Sequence, residues 1–183
     1  MTLTKTPICD FGKKAENFKL KSTDNKILSL DDIKGNKGTL IMFICNHCPY
    51  VKAVIQDIVS DCKELEKHGI NSVAICSNDV KNYPEDSFDK MIEFSKNHNF
   101  SFPYLHDETQ EVAKKYDAAC TPDFFIYNSD KQLVYRGQLD DSRPGNDVPV
   151  TGHDLRKAID SLMKGEKIDK NQKPSIGCNI KWK

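Results

Sequence analysis

The stretch from Thr39 to Tyr50, Thr-Leu-Ile-Met-Phe-Ile-Cys-Asn-His-Cys-Pro-Tyr, constrains this chain more than any other. Leu40 to Ile44 are five consecutive apolar residues, too short for a helix and continuous rather than alternating. That pattern predicts a central strand of a parallel sheet covered on both faces. Cys45 and Cys48 follow with Asn46 and His47 between them, and then Pro49, whose fixed φ and missing N–H suit the first turn of a helix. Beyond it Val51, Val54, Ile55, Ile58, Val59, Cys62 and Leu65 recur at spacings of three and four, one apolar stripe of an amphipathic helix that closes at His68 and Gly69. A helix start gathers unpaired N–H groups and the positive end of the macrodipole. A thiol held there is acidified, and the thiolate is the attacking species. The reading is a dithiol in which Cys45 is the exposed nucleophile and Cys48, one turn further in, resolves. The alternatives are half of a zinc site or two incidental core cysteines. A structural zinc site wants four ligands, and the sequence holds no second Cys-x-x-Cys or spaced His pair.

The chain has 183 residues, enough for one domain with a proper core. Its 27 basic and 27 acidic residues cancel, so no net field favours nucleic acid or an anionic membrane. Residues 1–18 lack the apolar run of a signal peptide and no stretch approaches a membrane span, so the expected compartment is the cytoplasm. Seven cysteines in that reducing setting point to catalytic or inert thiols rather than a disulfide framework.

Taken in order, residues 1–16 form a polar lead-in. Phe18 to Leu30, with a turn at Ser22-Thr23-Asp24-Asn25, predicts a hairpin on one edge of the sheet, and Asp31 to Lys34 a single helical turn. Ile70 to Cys76 is the next strand, parallel to the first and beside it. Cys45 and the Asn78-Asp79 pair then share the carboxyl edge of the sheet, where ligands bind in open α/β folds. A second helix carries Phe88, Met91, Ile92 and Ser95 on one face. Phe102 to Leu105 is a short strand, and Asp107 with Gln110 is expected to cap a third helix ending near Tyr116. Cys120-Thr121-Pro122-Asp123 enters a strand at Phe124, a proline position that suits an edge, a first strand residue or a cis turn. Leu133 to Gly137 returns antiparallel, 140–150 is a polar loop, and Thr151 with Asp154 caps a last helix ending at Gly165. The tail 166–183 carries Ile176, Ile180 and the sole Trp182, and is expected to dock on the domain.

This order of elements resembles the thioredoxin-like fold, and more narrowly the thioredoxin-like group of the peroxiredoxin (AhpC/TSA, redoxin) superfamily. The resemblance is carried by Cys45-Asn46-His47-Cys48-Pro49-Tyr50-Val51-Lys52, Tyr83-Pro84-Glu85-Asp86, Phe102-Pro103-Tyr104-Leu105, Cys120-Thr121-Pro122-Asp123-Phe124-Phe125, Tyr135 to Asp141 and the tail Ser175 to Lys183. It implies a three-layer α/β/α domain over 1–183 with a mixed central sheet and an N-terminal edge hairpin. It also implies a cis peptide at Thr121-Pro122, packed against the Cys45–Cys48 pair, with Asn46, His47, Thr121 and Pro122 in support. His47 stands where strongly oxidising disulfide catalysts carry a histidine that stabilises the first thiolate. Thioredoxin's own buried acid has no counterpart in Leu40 to Ile44, so Asp79 or Asp123 would have to serve as proton acceptor. The Pro-x-x-x-Thr-x-x prefix of a peroxidatic cysteine is missing: Gly38 and Met42 precede Cys45, and Ile41 and Cys45 precede Cys48. Arg136 would be the peroxide-binding arginine, or a surface residue.

The remaining candidates are fewer. Cys120 is a third redox thiol or a small buried filler. Cys62 and Cys76 belong to the core by position. Cys178 folds back as a distant resolving cysteine or is structural, and Cys9 is uninformative. His68, His98, His106 and His153 form no ligand set, and Asp140, Asp141 and Asp147 read as a solvated loop rather than a cation site. The expectation is a thiol–disulfide oxidoreductase acting on a protein or small-molecule disulfide or dithiol with an external thiol reductant. It needs no cofactor, metal, nucleic acid or membrane. The alternatives are a thiol-dependent peroxide reductase of antioxidant type and a non-catalytic binding module.

Overall fold

The computed structural model describes residues 2–183. A seven-stranded mixed sheet is built from β2 (Lys19–Ser22), β3 (Ile27–Ser29), β4 (Gly38–Phe43), β5 (Ile70–Cys76), β6 (Tyr104–His106), β8 (Asp123–Asn128) and β9 (Leu133–Gly137), in the order β3-β2-β6-β5-β4-β8-β9. β4, β5 and β6 run parallel, β8 is antiparallel to β4, β9 is antiparallel to β8 and so shares the direction of β4, and the β2–β3 hairpin forms one edge. β4 sits between β5 and β8 and every one of its residues is buried, which is why its sequence is continuous rather than alternating.

Alternation along β4 divides the core in two. Leu40 and Met42 face α2 (Pro49–Lys67), α3 (Phe88–Asn97) and α5 (His153–Lys164), together with Phe124 and Ile126. Ile41 and Phe43 face α1 (Leu30–Ile33) and α4 (Glu111–Lys115), together with Phe125 and Tyr127. The stripe Val51 to Leu65 of α2 is buried in full, and each large aliphatic side chain so covered is worth roughly 1.5–3 kcal/mol. Among the described residues no helix is long and apolar enough to cross a membrane.

A second, three-stranded sheet lies outside the sequence reading. β1 (Leu3–Lys5), within the expected lead-in, pairs with β10 (Ile176–Asn179), and β10 pairs with β7 (Cys120–Thr121), both antiparallel. Ile180 of the tail is buried, whereas Trp182 remains 43% exposed beside Lys114 rather than entering the core.

Two expected caps are built differently. Asp107 caps α4 by accepting from Val112 and Ala113 N–H, at 3.3 and 2.9 Å. Gln110 instead turns left-handed (φ 65) and donates to the carbonyls of Ser77 and Lys181. At α5 the Asp140 carboxylate takes the N–H groups of Thr151 and Gly152, each at 2.7 Å, so the loop acid anchors the helix start that Thr151 and Asp154 were expected to cap.

Candidate active site

The parallel strands β4, β5 and β6 end at one edge, and the chain's chemistry gathers there. β4 passes through Ile44 into Cys45, and Cys48 is the N-cap of α2 with Pro49 at its first position. Both thiols are buried, Cys45 at 1% and Cys48 at 0% exposure, so Cys45 is not the exposed sulfur that the sequence suggested. The Thr121–Pro122 peptide is cis. Thr121 touches both sulfurs: its Oγ1 lies 3.4 Å from Cys45 Sγ, and its carbonyl accepts from Cys48 Sγ at 3.2 Å.

His47 Nδ1 lies 3.9 Å from Cys45 Sγ and donates to Asp86 Oδ2 at 2.6 Å. Asp86, in the 3-10 turn Pro84–Asp86, is fully buried. Its carboxylate also accepts from Asn46 N–H (2.8 Å), His47 N–H (3.3 Å) and Asn78 Nδ2 (2.7 Å). Burial works to raise the Asp86 pKa, but the hydrogen bonds from His47, Asn78 and Asn46 outweigh it and the net shift is downward. The same bond raises His47 against its own burial. Asn46 is fixed in turn by Tyr104 O–H (2.9 Å) and by its own donation to Glu85 O, and the imidazole stacks on Tyr83.

The sulfurs ionise as a unit. A hydrogen bond from the Cys45 thiol is the main force drawing Cys48 down to about 5, against its burial, with help from Thr121, Cys178 and Val51 N–H. Cys45 moves the other way, because it holds that proton toward Cys48 and is buried near the Asp86 charge. One proton therefore serves two sulfurs. When it sits on Cys48, that thiol donates to the Thr121 carbonyl, and Cys45 becomes a thiolate facing the Thr121 hydroxyl and His47. The pair gives up its first proton readily and its second with difficulty.

The other sequence candidates separate cleanly. Cys120 Sγ donates to Pro122 O at 3.6 Å and burial drives its pKa upward. Cys62 and Cys76 are pushed up to about 12 by burial. Asp79 caps its own turn, accepting from Lys81 N–H and Asn82 Nδ2, and Asp123 pairs with Arg136 at 3.2 Å. Neither meets the dithiol. Asp123 is in register with Phe43, and Arg136 with Phe125, which places both on the sheet face away from Cys45 and Cys48. The buried Arg136 guanidinium lies 4.6 Å above the Phe125 ring and donates to Asp117 O. It is neither a surface residue nor a group at the dithiol.

The acid that the sequence reading missed is Asp86. It stands in a segment that reads as an ordinary acidic helix entry, and Glu85 beside it is an equal candidate from sequence. Only the turn after Asn78 at the shared strand edge pointed toward it. Cys45, His47 and Asp86 also place ligand-type atoms within 4.8 Å of one another. The His47 nitrogen and both Asp86 oxygens are committed to each other and to Asn46 and Asn78, which suits a proton-holding pair better than a cation site.

A profile of the AhpC/TSA family matches residues 11–136, which takes in β2 through β8, all but the last residue of β9, and both cysteines of the dithiol. The chain belongs to the AhpC/TSA family. Within reach of it is the thiol-disulfide oxidoreductase ResA of Bacillus subtilis, 28% identical over 123 residues; the match covers 67% of this chain and 64% of that protein's length. The crystal structure of an uncharacterized conserved protein from Geobacillus kaustophilus superposes with a TM-score of 0.98 at 50% identity, covering 100% of this chain and 97% of the other. The thioredoxin domain of a thiol-disulfide oxidoreductase from Bacteroides vulgatus, 14% identical, superposes with a TM-score of 0.58 over 70% of this chain and 88% of its own. That likeness shows the fold: this family member has a thioredoxin-like three-layer architecture.

Proposed function

We propose that the chain is a thiol–disulfide oxidoreductase whose working couple is Cys45 and Cys48. The observation that carries this reading is a pair of buried cysteine sulfurs at a helix start, with Thr121 in contact with both and His47 Nδ1, paired with Asp86, 3.9 Å from Cys45 Sγ. Cys45 attacks a disulfide sulfur of the substrate as its proton passes to Cys48. The substrate's second sulfur leaves as a thiolate, which His47, charged by Asp86, can protonate. Cys48 then attacks Cys45, releases the second product thiol, and leaves Cys45–Cys48 oxidised. Run backward, the same steps oxidise a dithiol. The substrate is a protein or small-molecule disulfide or dithiol, and a thiol reductant resets the couple. The relative named ResA supports this class of chemistry. Arg136, the expected peroxide-binding arginine, is held across the sheet from the dithiol instead.

The roles are tested by trapping. Cys48→Ser is expected to accumulate a mixed disulfide between Cys45 and glutathione or a protein substrate, read by intact mass, and Cys45→Ser is expected to fall far below wild type in insulin reduction. Wild-type levels of insulin reduction by both variants would overturn the assignment of this couple.

A further inference from the structure

We propose that Cys178 on β10 is a third exchanging thiol, which takes Cys48 out of the Cys45–Cys48 disulfide to form Cys48–Cys178, so that the C-terminal strand acts as the chain's own substrate. The inference rests on Cys45–Cys48 being the working couple.

Its basis is the way the tail is delivered. β10 runs antiparallel to β7 with Cys178 directly opposite Thr121 and Asn179 opposite Cys120. Thr121 is the residue whose carbonyl accepts from Cys48 and whose hydroxyl meets Cys45. The side chain on the facing strand position is therefore a thiol, and it shares a hydrogen bond with Cys48. Cys178 is 3% exposed and packs in the same cluster as Cys45 and Cys48.

The approach is close by construction. A Cβ on Gly177 would lie 2.1 Å from the Thr121 carbonyl oxygen, so only glycine lets the tail backbone come this near. The strand is held from both ends. Before Cys178, Ser175 N–H donates to Thr6 Oγ1 and β1 pairs along β10. After it, Lys181 N–H donates to Asn78 Oδ1, and its carbonyl accepts from Asp79 N–H and Gln110 Nε2. Asn78 also donates to Asp86, so one side chain supports both the tail and the acid behind His47. An extended segment presenting its own cysteine along a strand edge is the geometry of β-strand addition, here supplied in cis.

The exchange balances without any outside oxidant. Starting from oxidised Cys45–Cys48, the Cys178 sulfur attacks Cys48. The Cys178–Cys48 bond forms as the Cys45–Cys48 bond breaks, and the Cys178 proton ends on the departing Cys45 sulfur. The protein remains oxidised by two electrons throughout, with Cys45 now a free thiol. Burial raises the Cys178 thiol, so the proton must move with the attack, and Cys45 is the group that takes it.

The test uses the full-length chain equilibrated in a glutathione/glutathione disulfide buffer, quenched with acid and N-ethylmaleimide, and mapped by peptide mass spectrometry. Cys45→Ser is expected to give a monomer with an internal Cys48–Cys178 disulfide. Its Cys48–glutathione adduct should clear on the order of 100-fold faster than in Cys45→Ser/Cys178→Ala, because the resolving thiol is held in place. Wild type is expected to show Cys48–Cys178 peptide alongside Cys45–Cys48, which reads the exchange even if a variant folds poorly. A stable Cys48–glutathione adduct with Cys178 alkylated, together with wild type showing only Cys45–Cys48, overturns the proposal and leaves the couple standing. No Cys45–Cys48 disulfide in wild type overturns the couple itself.

Discussion

Asp86 and Asp123 are both fully buried carboxylates paired with a base, one in the turn beside the dithiol and one on the sheet face away from it, and they are built to different ends. Asp86 accepts from four donors, sits against the half-buried His47, and is held below the usual carboxylate range. Asp123 has one charged partner, leaves its Oδ1 without a hydrogen bond, and faces an Arg136 whose Nε is likewise unpartnered. Burial outweighs Arg136 there and raises Asp123 to about 6. The saturated pair keeps a charge ready beside the dithiol. The starved pair is a structural tie that the core tolerates, since desolvation offsets much of what its attraction contributes.

Breaking the starved pair should have the largest effect. Arg136→Met leaves Asp123 buried without a cation and is expected to cost roughly 3–5 kcal/mol in denaturant unfolding. Asp123→Asn/Arg136→Met should recover most of that loss. Thiol exchange by the folded fraction should be unchanged, because the guanidinium lies across the sheet from Cys45. A selective loss of exchange in folded Arg136→Met would merge the two regions that the comparison separates.

A smaller effect distinguishes the two acids by sign. Asp123 has a folded pKa of about 6, above the unfolded value of about 3.9. The folded state holds the extra proton between those values, so this group's contribution is full below about pH 3.9 and is lost as pH rises through about 6. Relative to Asp123→Asn, wild type should lose on the order of 3 kcal/mol between pH 4 and 7, each pKa unit being worth about 1.4 kcal/mol. Asp86, with its pKa lowered, behaves oppositely: its contribution is present above about pH 3.9 and fades as pH falls. Unfolding curves of wild type and Asp123→Asn across this range check the sign, and a wild type that gains on the variant as pH rises would contradict it.

The sequence was informative where local pattern and global position agree. The apolar run of β4, the proline at the start of α2 and the stripe from Val51 to Leu65 each specify one element, and together they place Cys45 and Cys48 at a helix start. The edge hairpin and the β8–β9 return were legible for the same reason. What stayed hidden depends on contacts between distant segments. Asp86 reaches His47 across 39 residues, and nothing local distinguishes it from Glu85. The pairing of Leu3 with Cys178 joins the two ends of the chain, so a polar lead-in could not be read as a strand. Cys178 itself was visible only as one of two options, because its meaning comes from standing opposite Thr121.

The central claim is that the dithiol is activated, and the pH dependence of its alkylation tests this most directly. Iodoacetamide labelling of reduced protein, with Cys45 and Cys48 resolved by peptide mass spectrometry, gives the ionisation of the pair. The first inflection is expected well below the free-thiol value of about 8.5, in keeping with the Cys48 value of about 5, and His47→Ala is expected to move it upward. A parent inflection at or above 8.5, unmoved by His47→Ala, would contradict the account.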